Sequence, residues 1–275
     1  MTVRTALLQG TRLLEAGAIS VPRLTAEVLL AHALQCERVW LVAHGDEELS
    51  ELGWIHFGRY LHERLQGKPT QYITKKQEFY GRDFRVTPAV LIPRPETEHL
   101  VETALRRGAG ARRVADIGTG SSAIGVTLAL EWDVAVTLTE ISFEALGVAR
   151  ENAQKLNARA NFVCCDLGSA LGGEFDVIVS NPPYIPFAEG EGLAREVRDY
   201  EPHVALFGGE QGTEIYMRLI ADAARLLRPG GLLAMELGYR GLDSVRAMLG
   251  ADWRDIEVTH DLAGWPRVLS AIRSV

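Results

Sequence analysis

The apolar run Phe175-Asp176-Val177-Ile178-Val179-Ser180 passes straight into Asn181-Pro182-Pro183-Tyr184. A short β-branched run stopped by two prolines reads as a buried parallel strand whose chain leaves the sheet at once. Proline has no N–H for a ladder and holds its predecessor out of the helical region. The tetrapeptide is therefore expected at the carboxyl edge of a sheet, where open α/β folds hold their ligands. A planar NH2 group has two in-plane hydrogens, and an Asn side-chain oxygen together with a proline-stiffened carbonyl can accept both. The ring of Tyr184 can stack on the attached π-system and so aim the nitrogen at an electrophile above the plane, a service of positioning. A stiffened strand-end turn is the plainer alternative, and a tyrosine in the next position favours function.

Strands and helices alternate on both sides of this stretch. Residues 113–117 read as a strand, followed by Gly118-Thr119-Gly120-Ser121-Ser122-Ala123-Ile124-Gly125 opening an apolar helix. Residues 134–139 form a second strand ended by Glu140, 143–156 a helix, and 161–165 a strand ended by Asp166. Beyond the tetrapeptide come a helix over 213–228 stopped by Pro229-Gly230-Gly231, a strand over 232–237, a helix over 242–249 and an antiparallel pair, 255–259 with 268–272. The expected fold is α/β: a doubly wound, mostly parallel sheet of seven strands.

A glycine turn directly after a strand and opening a helix offers backbone N–H groups to a ligand with no side chain in the way. Glu140, ending the next strand, can accept from both hydroxyls of a ribose. Ala123 completes Gly-x-Gly-x-x-Ala, so a nicotinamide or flavin dinucleotide competes for the site. Asp166 tilts the choice, because it could meet an adenine amino group while Leu167 covers the ring. A carboxylate on each of two successive strands plus a cradle for an NH2 group suits an adenosyl sulfonium donor and an amino acceptor. Hydride transfer would want a general acid near a carbonyl instead.

Ahead of the α/β part, residues 2–66 are helical in pattern. Leu7, Leu8, Leu13 and Leu14, then Ala26, Leu29, Leu30, Ala33 and Leu34, then Leu61 and Leu65 recur at three- and four-residue steps, broken at Ser20-Val21-Pro22 and near Gly45 into three helices. This predicts a small all-α N-terminal domain, residues 1–67, a substrate-recognition or packing module, or a cap on the larger domain, rather than an active site. Residues 68–92 read as a hairpin linker, with Glu78-Phe79-Tyr80-Gly81-Arg82-Asp83-Phe84-Arg85-Val86 alternating about its glycine. The third part, residues 93–275, opens on Pro93-Arg94-Pro95-Glu96-Thr97-Glu98, where Thr97 and Glu98 start a helix running through residue 107.

With 47% apolar and 24% charged residues over 275 positions, the composition is that of an ordinary globular chain. A formal charge of −7 argues against affinity gained by neutralising phosphates, so no direct nucleic-acid binding is expected. There is no apolar stretch long enough to span a bilayer and no signal-peptide core at the start, which places the expected protein in the cytoplasm. Cys36, Cys164 and Cys165 have neither a paired framework nor zinc-site spacing, and Cys164 and Cys165 are expected reduced and packed inside. The seven histidines are scattered, and no metal is expected.

Asp-Ile-Gly-Thr-Gly-Ser at 116–121, Asn-Pro-Pro-Tyr at 181–184, Pro-Arg-Pro-Glu-Thr-Glu at 93–98 and Glu-Pro-x-x-Ala-Leu-x-Gly-Gly-x-x-Gly at 201–212 together resemble the release factor glutamine methyltransferases, over essentially the whole chain. The 93–98 and 201–212 segments are the discriminating ones. The resemblance implies a Rossmann-like methyltransferase sheet and transfer of a methyl group from S-adenosyl-L-methionine to the side-chain amide nitrogen of the glutamine in the Gly-Gly-Gln loop of peptide chain release factors. It implies cofactor contacts at Asp116, Gly118, Thr119, Gly120, Ser121, Ser122, Glu140, Asp166, Leu167 and Asn181. It also implies a glutamine cradle at Asn181, Pro182, Pro183 and Tyr184, with Asn181, Pro182 and Tyr184 carrying the chemistry. A monomer is expected. The chain departs from the family's usual glycine at Ser122, which adds a side chain near the methionine moiety, and from its usual aspartate at Glu140. Trp265-Pro266 replaces a more polar pair. The rival acceptors are a glutamine of a ribosomal protein and the N6 of adenine or N2 of guanine in a flipped base. A non-catalytic adenosyl-binding scaffold is the rival of another class.

Overall fold

The computed structural model describes residues 1–274. Among them the elements run, in chain order, α1 (Val3–Ala16), α2 (Pro22–Leu34), α3 (Arg38–Ala43), α4 (Glu51–Leu65), α5 (Thr70–Thr74), β1 (Lys76–Phe79), β2 (Arg82–Arg85), α6 (Glu98–Arg107), β3 (Val114–Ile117), α7 (Ala123–Trp132), β4 (Val136–Glu140), α8 (Phe143–Lys155), β5 (Ala160–Cys164) and β6 (Phe175–Ser180). They continue with β7 (Ile185–Pro186), α9 (Arg195–Tyr200), β8 (Phe207–Gly209), α10 (Glu214–Leu226), β9 (Leu227–Glu236), α11 (Leu242–Ala247), β10 (Trp253–His260) and β11 (Pro266–Arg273). A short 3-10 turn, Pro95–Thr97, leads into α6. The chain divides into two compact units, Met1–Lys76 with Ala194–Tyr200, and Gln77–Leu193 with Glu201 onward.

The first unit is helical. The Thr2 hydroxyl accepts from the Thr5 N–H and the Ser50 hydroxyl from the Gly53 N–H, so each of the two longest helices begins on a side-chain cap. Leu7, Leu14, Leu29, Leu30, Phe57 and Leu61 share its core. Helices α1 and α4 approach at Gly10, where a Cβ would lie 2.5 Å from the Phe57 ring. The expected three helices become five before residue 76, because α3 and α5 span little more than one turn and leave no period to read. Helix α9 belongs here as well. The buried Arg64 guanidinium meets Glu196 at 2.5 Å, and the Tyr200 hydroxyl donates to the Gln66 carbonyl. The stretch expected as one linker, 68–92, is shared between the units, α5 in the first and most of the hairpin in the second.

In the second unit seven of the described strands form one sheet in the order β10-β11-β9-β6-β3-β4-β5, parallel except for β11 and β10. All four residues of β3 are buried, as suits a central strand covered on both faces. Period two divides β6 between the layers: Val177 and Val179 pack with α6 and α7, Ile178 with α10 and α11. Helix α10 buries Tyr216, Leu219, Ile220, Ala223 and Leu226 along one stripe. The strand order reverses at β3, so the loops after β3 and β6 open side by side, the usual place for a ligand crevice.

Two expectations need correction. Pro229-Gly230-Gly231 does not precede β9 but lies within it. Leu227 pairs with Phe175, the register jumps to Leu232 opposite Val177, and Gly230 takes φ +80° inside the resulting bulge. Cys164 is exposed rather than packed inside, because β5 is the edge strand, while Cys36 and Cys165 are half-buried. The two-stranded pairing of β7 with β8 is too short to leave a sequence pattern. Among the described residues no helix is long and apolar enough to cross a membrane.

Candidate active site

The turn after β3 is held open from behind. Gly118 and Gly120 take φ +72° and +53°, and a Cβ added to either would meet nothing within 4 Å, so their backbone faces free space. Asp116 sits beneath the turn, fully buried. Its Oδ2 accepts from the Thr119 hydroxyl at 2.6 Å and the Gly125 N–H at 3.0 Å. Burial pushes its carboxyl up to about 6, against the pull of those two donors. Asp116 thus lies behind the cavity wall, where it can act on a ligand only through the shape of the turn.

Glu140, at the end of β4, reaches the same turn from the side. Its Oε2 accepts from the Gly120 N–H at 2.9 Å and its Oε1 from the Ser142 N–H at 3.0 Å. Each carboxylate oxygen keeps a further lone pair for a ligand hydroxyl. Asn152 of α8, which the sequence did not single out, ties the turn to the hairpin. Its amide donates to the Ser121 and Arg85 carbonyls and accepts from the Arg85 N–H.

Ser122 also faces away from the cavity. It is buried at φ +67°, and its hydroxyl donates to the Ala149 carbonyl at 3.3 Å. The Ser122 hydroxyl is thus spent on the α8 backbone, away from the cavity. Ser122→Gly loses one hydrogen bond, about 1 kcal/mol, and relieves a left-handed backbone of about the same cost, so stability should move by less than about 1 kcal/mol. Affinity for the methyl donor should stay within about twofold by calorimetry, about 0.4 kcal/mol.

After β5, Asp166 and Leu167 line the cavity, and Asp166 is paired with Arg218 of α10, a cavity residue that the sequence reading passed over. After β6, the Ser180 hydroxyl donates to the Ile117 carbonyl at 2.7 Å, locking the two strand ends together. Asn181, Pro182 and Pro183 follow on the cavity wall, and the Asn181 amide donates to the Thr97 hydroxyl at 3.3 Å. Tyr184 does not line the cavity. Its ring packs against the Gly238 backbone, where a Cβ would come within 2.8 Å, and burial pushes its phenol far above the usual range. The ring is thus packed against the protein's own backbone on its Cδ2 side.

The two discriminating segments build the remaining wall. The buried carboxylate of Glu201 accepts from the Ile92 N–H and pairs with Arg94, fixing the entry to residues 93–98. Pro93, Thr97, Val204 and Ala205 then face the cavity. Gly208 and Gly212 pass directly behind the tetrapeptide, where a Cβ would lie 2.5 Å from the Pro183 carbonyl oxygen or 2.4 Å from that of Tyr184. Both neighbours are backbone and cannot step aside. Gly208→Ala should cost about 1–3 kcal/mol of stability and displace Asn181 and Pro182, read as a lower melting temperature with reduced turnover.

One cavity of about 220 Å³ therefore gathers Gly118 to Ser121, Glu140, Asp166, Leu167 and Asn181 to Pro183, while Asp116, Ser122 and Tyr184 stand behind its wall. A glycine turn and two strand-end carboxylates around a crevice at the sheet's switch point, with an Asn-Pro-Pro turn opposite, define a Rossmann-like methyltransferase. The model of the PrmC N-terminal domain matches residues 5–74 and that of the methyltransferase small domain matches residues 95–197. A release factor glutamine methyltransferase of Koribacter versatilis is 45% identical over 274 residues, covering 98% of each chain. Among solved structures, a methyltransferase from Pyrococcus furiosus superposes with a TM-score of 0.56 at 22% identity, over 79% of this chain and 100% of that one. A 16S rRNA N2 methyltransferase from T. thermophilus, in complex with AdoMet and guanosine, superposes with a TM-score of 0.53 at 21% identity, over 72% and 49%. The chain belongs to the release factor glutamine methyltransferase family.

Proposed function

We propose that the protein transfers a methyl group from S-adenosyl-L-methionine to the side-chain amide nitrogen of the glutamine in the Gly-Gly-Gln loop of peptide chain release factors. The observation that carries this is the single cavity joining the glycine turn and Glu140 to Asn181 and Pro182. The residues present suit the donor. The bare turn at Gly118 and Gly120 admits close backbone approach, Glu140 retains lone pairs for ribose hydroxyls, and Leu167 supplies an apolar surface for a flat ring beside Asp166. When bound, the donor supplies a methyl group made electrophilic by its positive sulfur.

The chain's part is to orient and to exclude water. An amide nitrogen is a poor nucleophile because its lone pair is delocalised into the carbonyl. With its two hydrogens accepted by Asn181 Oδ1 and the Pro182 carbonyl, the nitrogen gains electron density as charge develops, which favours the transition state over the ground state. The nitrogen lone pair would form the new N–C bond as the carbon's bond to the donor sulfur breaks, with that bond's electron pair passing to the sulfur and neutralising its positive charge. The nitrogen, now strongly acidic, then sheds a proton. Tyr184 serves this step by stiffening the turn from behind. The helical part, residues 1–67, is assigned to recognition of the protein substrate and residues 93–275 to catalysis.

The test is to incubate the protein with labelled methyl donor and, separately, release factor, ribosomal proteins and nucleic acid, then locate the label by mass spectrometry. Label on the glutamine of the Gly-Gly-Gln loop is expected. Label confined to a ribosomal-protein glutamine, or to adenine or guanine, would overturn the proposal.

A further inference from the structure

Glu236, the last residue of β9, lies under Asn181 and is absent from every motif the sequence offered. It is 2% exposed, and its Oε2 has no hydrogen-bond partner. The β6–β9 register sets Ser180 opposite Met235, so the next residues, Asn181 and Glu236, stand at neighbouring strand ends. The Asn181 amide donates to the Thr97 hydroxyl, and both side chains act on the Glu236 carboxyl as donors that favour its charged form. Three elements thus converge: the 3-10 turn before α6, the loop after β6, and the end of β9.

The oxygen and nitrogen of an asparagine amide are nearly the same size, so packing alone does not decide which one faces the cavity. Chemistry must decide it, and the cradle works only with Oδ1 outward. An ionised carboxylate accepts and never donates. It therefore draws the Thr97 O–H and the Asn181 N–H inward, which turns Oδ1 away from itself. A neutral carboxylic acid could donate to Oδ1 and would remove that preference.

We propose that Glu236, acting with Thr97, is the positioning residue that holds the Asn181 amide with its oxygen presented to the acceptor NH2. This rests on Asn181 being the cradle for that NH2.

Burial, aided by Glu96, pushes the Glu236 carboxyl up to about 7, while Thr97, Arg267 and Asn181 pull it down. The other titratable groups facing it are two phenols. The Tyr216 hydroxyl donates to the Glu236 backbone carbonyl at 2.8 Å, and the Tyr184 phenol is close enough to be coupled to the carboxyl. Burial raises both phenols, and the Arg267 pKa is raised further by its hydrogen bond to Asp261, although burial opposes this. All three therefore keep one charge state near neutrality. The carboxylate form is the orienting one, so turnover should fall as pH drops through about 7.

The experiment measures kcat for methylation of intact release factor by the full chain, from about pH 5.5 to about pH 8.5, for wild type, Glu236→Gln, Thr97→Val and the double variant Glu236→Gln with Asn181→Ala. Expected are an acid limb in wild type, its loss in Glu236→Gln with a fall of about 10- to 100-fold in kcat at the plateau, and unchanged donor affinity. The double variant should be no slower than Asn181→Ala alone, because both changes remove one function. A Glu236→Gln variant with wild-type kcat and an intact acid limb would overturn the inference. If that variant does not fold, wild-type kcat in Thr97→Val would overturn it instead. Wild-type protein that leaves the glutamine unlabelled would overturn the cradle itself and this inference with it.

Discussion

Asn181→Ala should lower turnover by at least about 100-fold, the scale seen when one preorganised group aimed at developing charge is removed, while donor affinity stays within about twofold. The asparagine is held from both sides. Ser180 is bolted to the Ile117 carbonyl, and Pro182 and Pro183 allow the following backbone little freedom. Its amide is anchored to Thr97, so the rotamer does not have to be found during the reaction. Truncation leaves the acceptor NH2 with one partner instead of two, so the whole planar amide can swing about the side-chain torsions that carry it. The glycine turn and Glu140 are untouched, which is why binding of the donor should survive. Steady-state kinetics paired with calorimetry separates the two quantities, and a variant with full activity would remove the cradle.

Glu140→Ala should instead weaken donor binding, by roughly 30- to 100-fold, or about 2–3 kcal/mol for a lost charge-assisted contact. Two effects add. The ligand loses an acceptor for its ribose hydroxyls, and the Gly120 and Ser142 N–H groups lose theirs, which slackens the turn that the ligand must meet. Glu140→Gln separates them, since one amide oxygen can still accept from Gly120 while the charge is gone. An intermediate loss is expected there. Calorimetry showing no change in Glu140→Ala would remove the ribose assignment.

Much of this arrangement was legible in the sequence wherever one local signal dominates. Phe175–Ser180 is a strand with the bounds that its apolar run and the following prolines imply, and Gly118 and Gly120 take the positive φ that a bare turn suggests. Other features acquire meaning only after the chain has folded. Thr97 reads as a helix start and Glu236 as one polar position within an apolar strand. Neither announces that a carboxylate will be buried beneath Asn181, because the three lie far apart in sequence. Asn152 looks like one more polar helical residue until it clamps the glycine turn. An aromatic after a proline turn suggests stacking on a ligand, and no local pattern announces that the Tyr184 ring also packs against Gly238 behind the turn. Pro229-Gly230-Gly231 misled as punctuation, because a bulge and a break share the same residues.

The most direct measurement is a crystal structure of the protein with S-adenosylhomocysteine and a peptide bearing Gly-Gly-Gln. The account predicts the glutamine side-chain nitrogen at about 3 Å from both Asn181 Oδ1 and the Pro182 carbonyl oxygen, with the sulfur of the cofactor product in line beyond it. A glutamine bound elsewhere, or an Asn181 amide turned with its nitrogen toward the cavity, would contradict it.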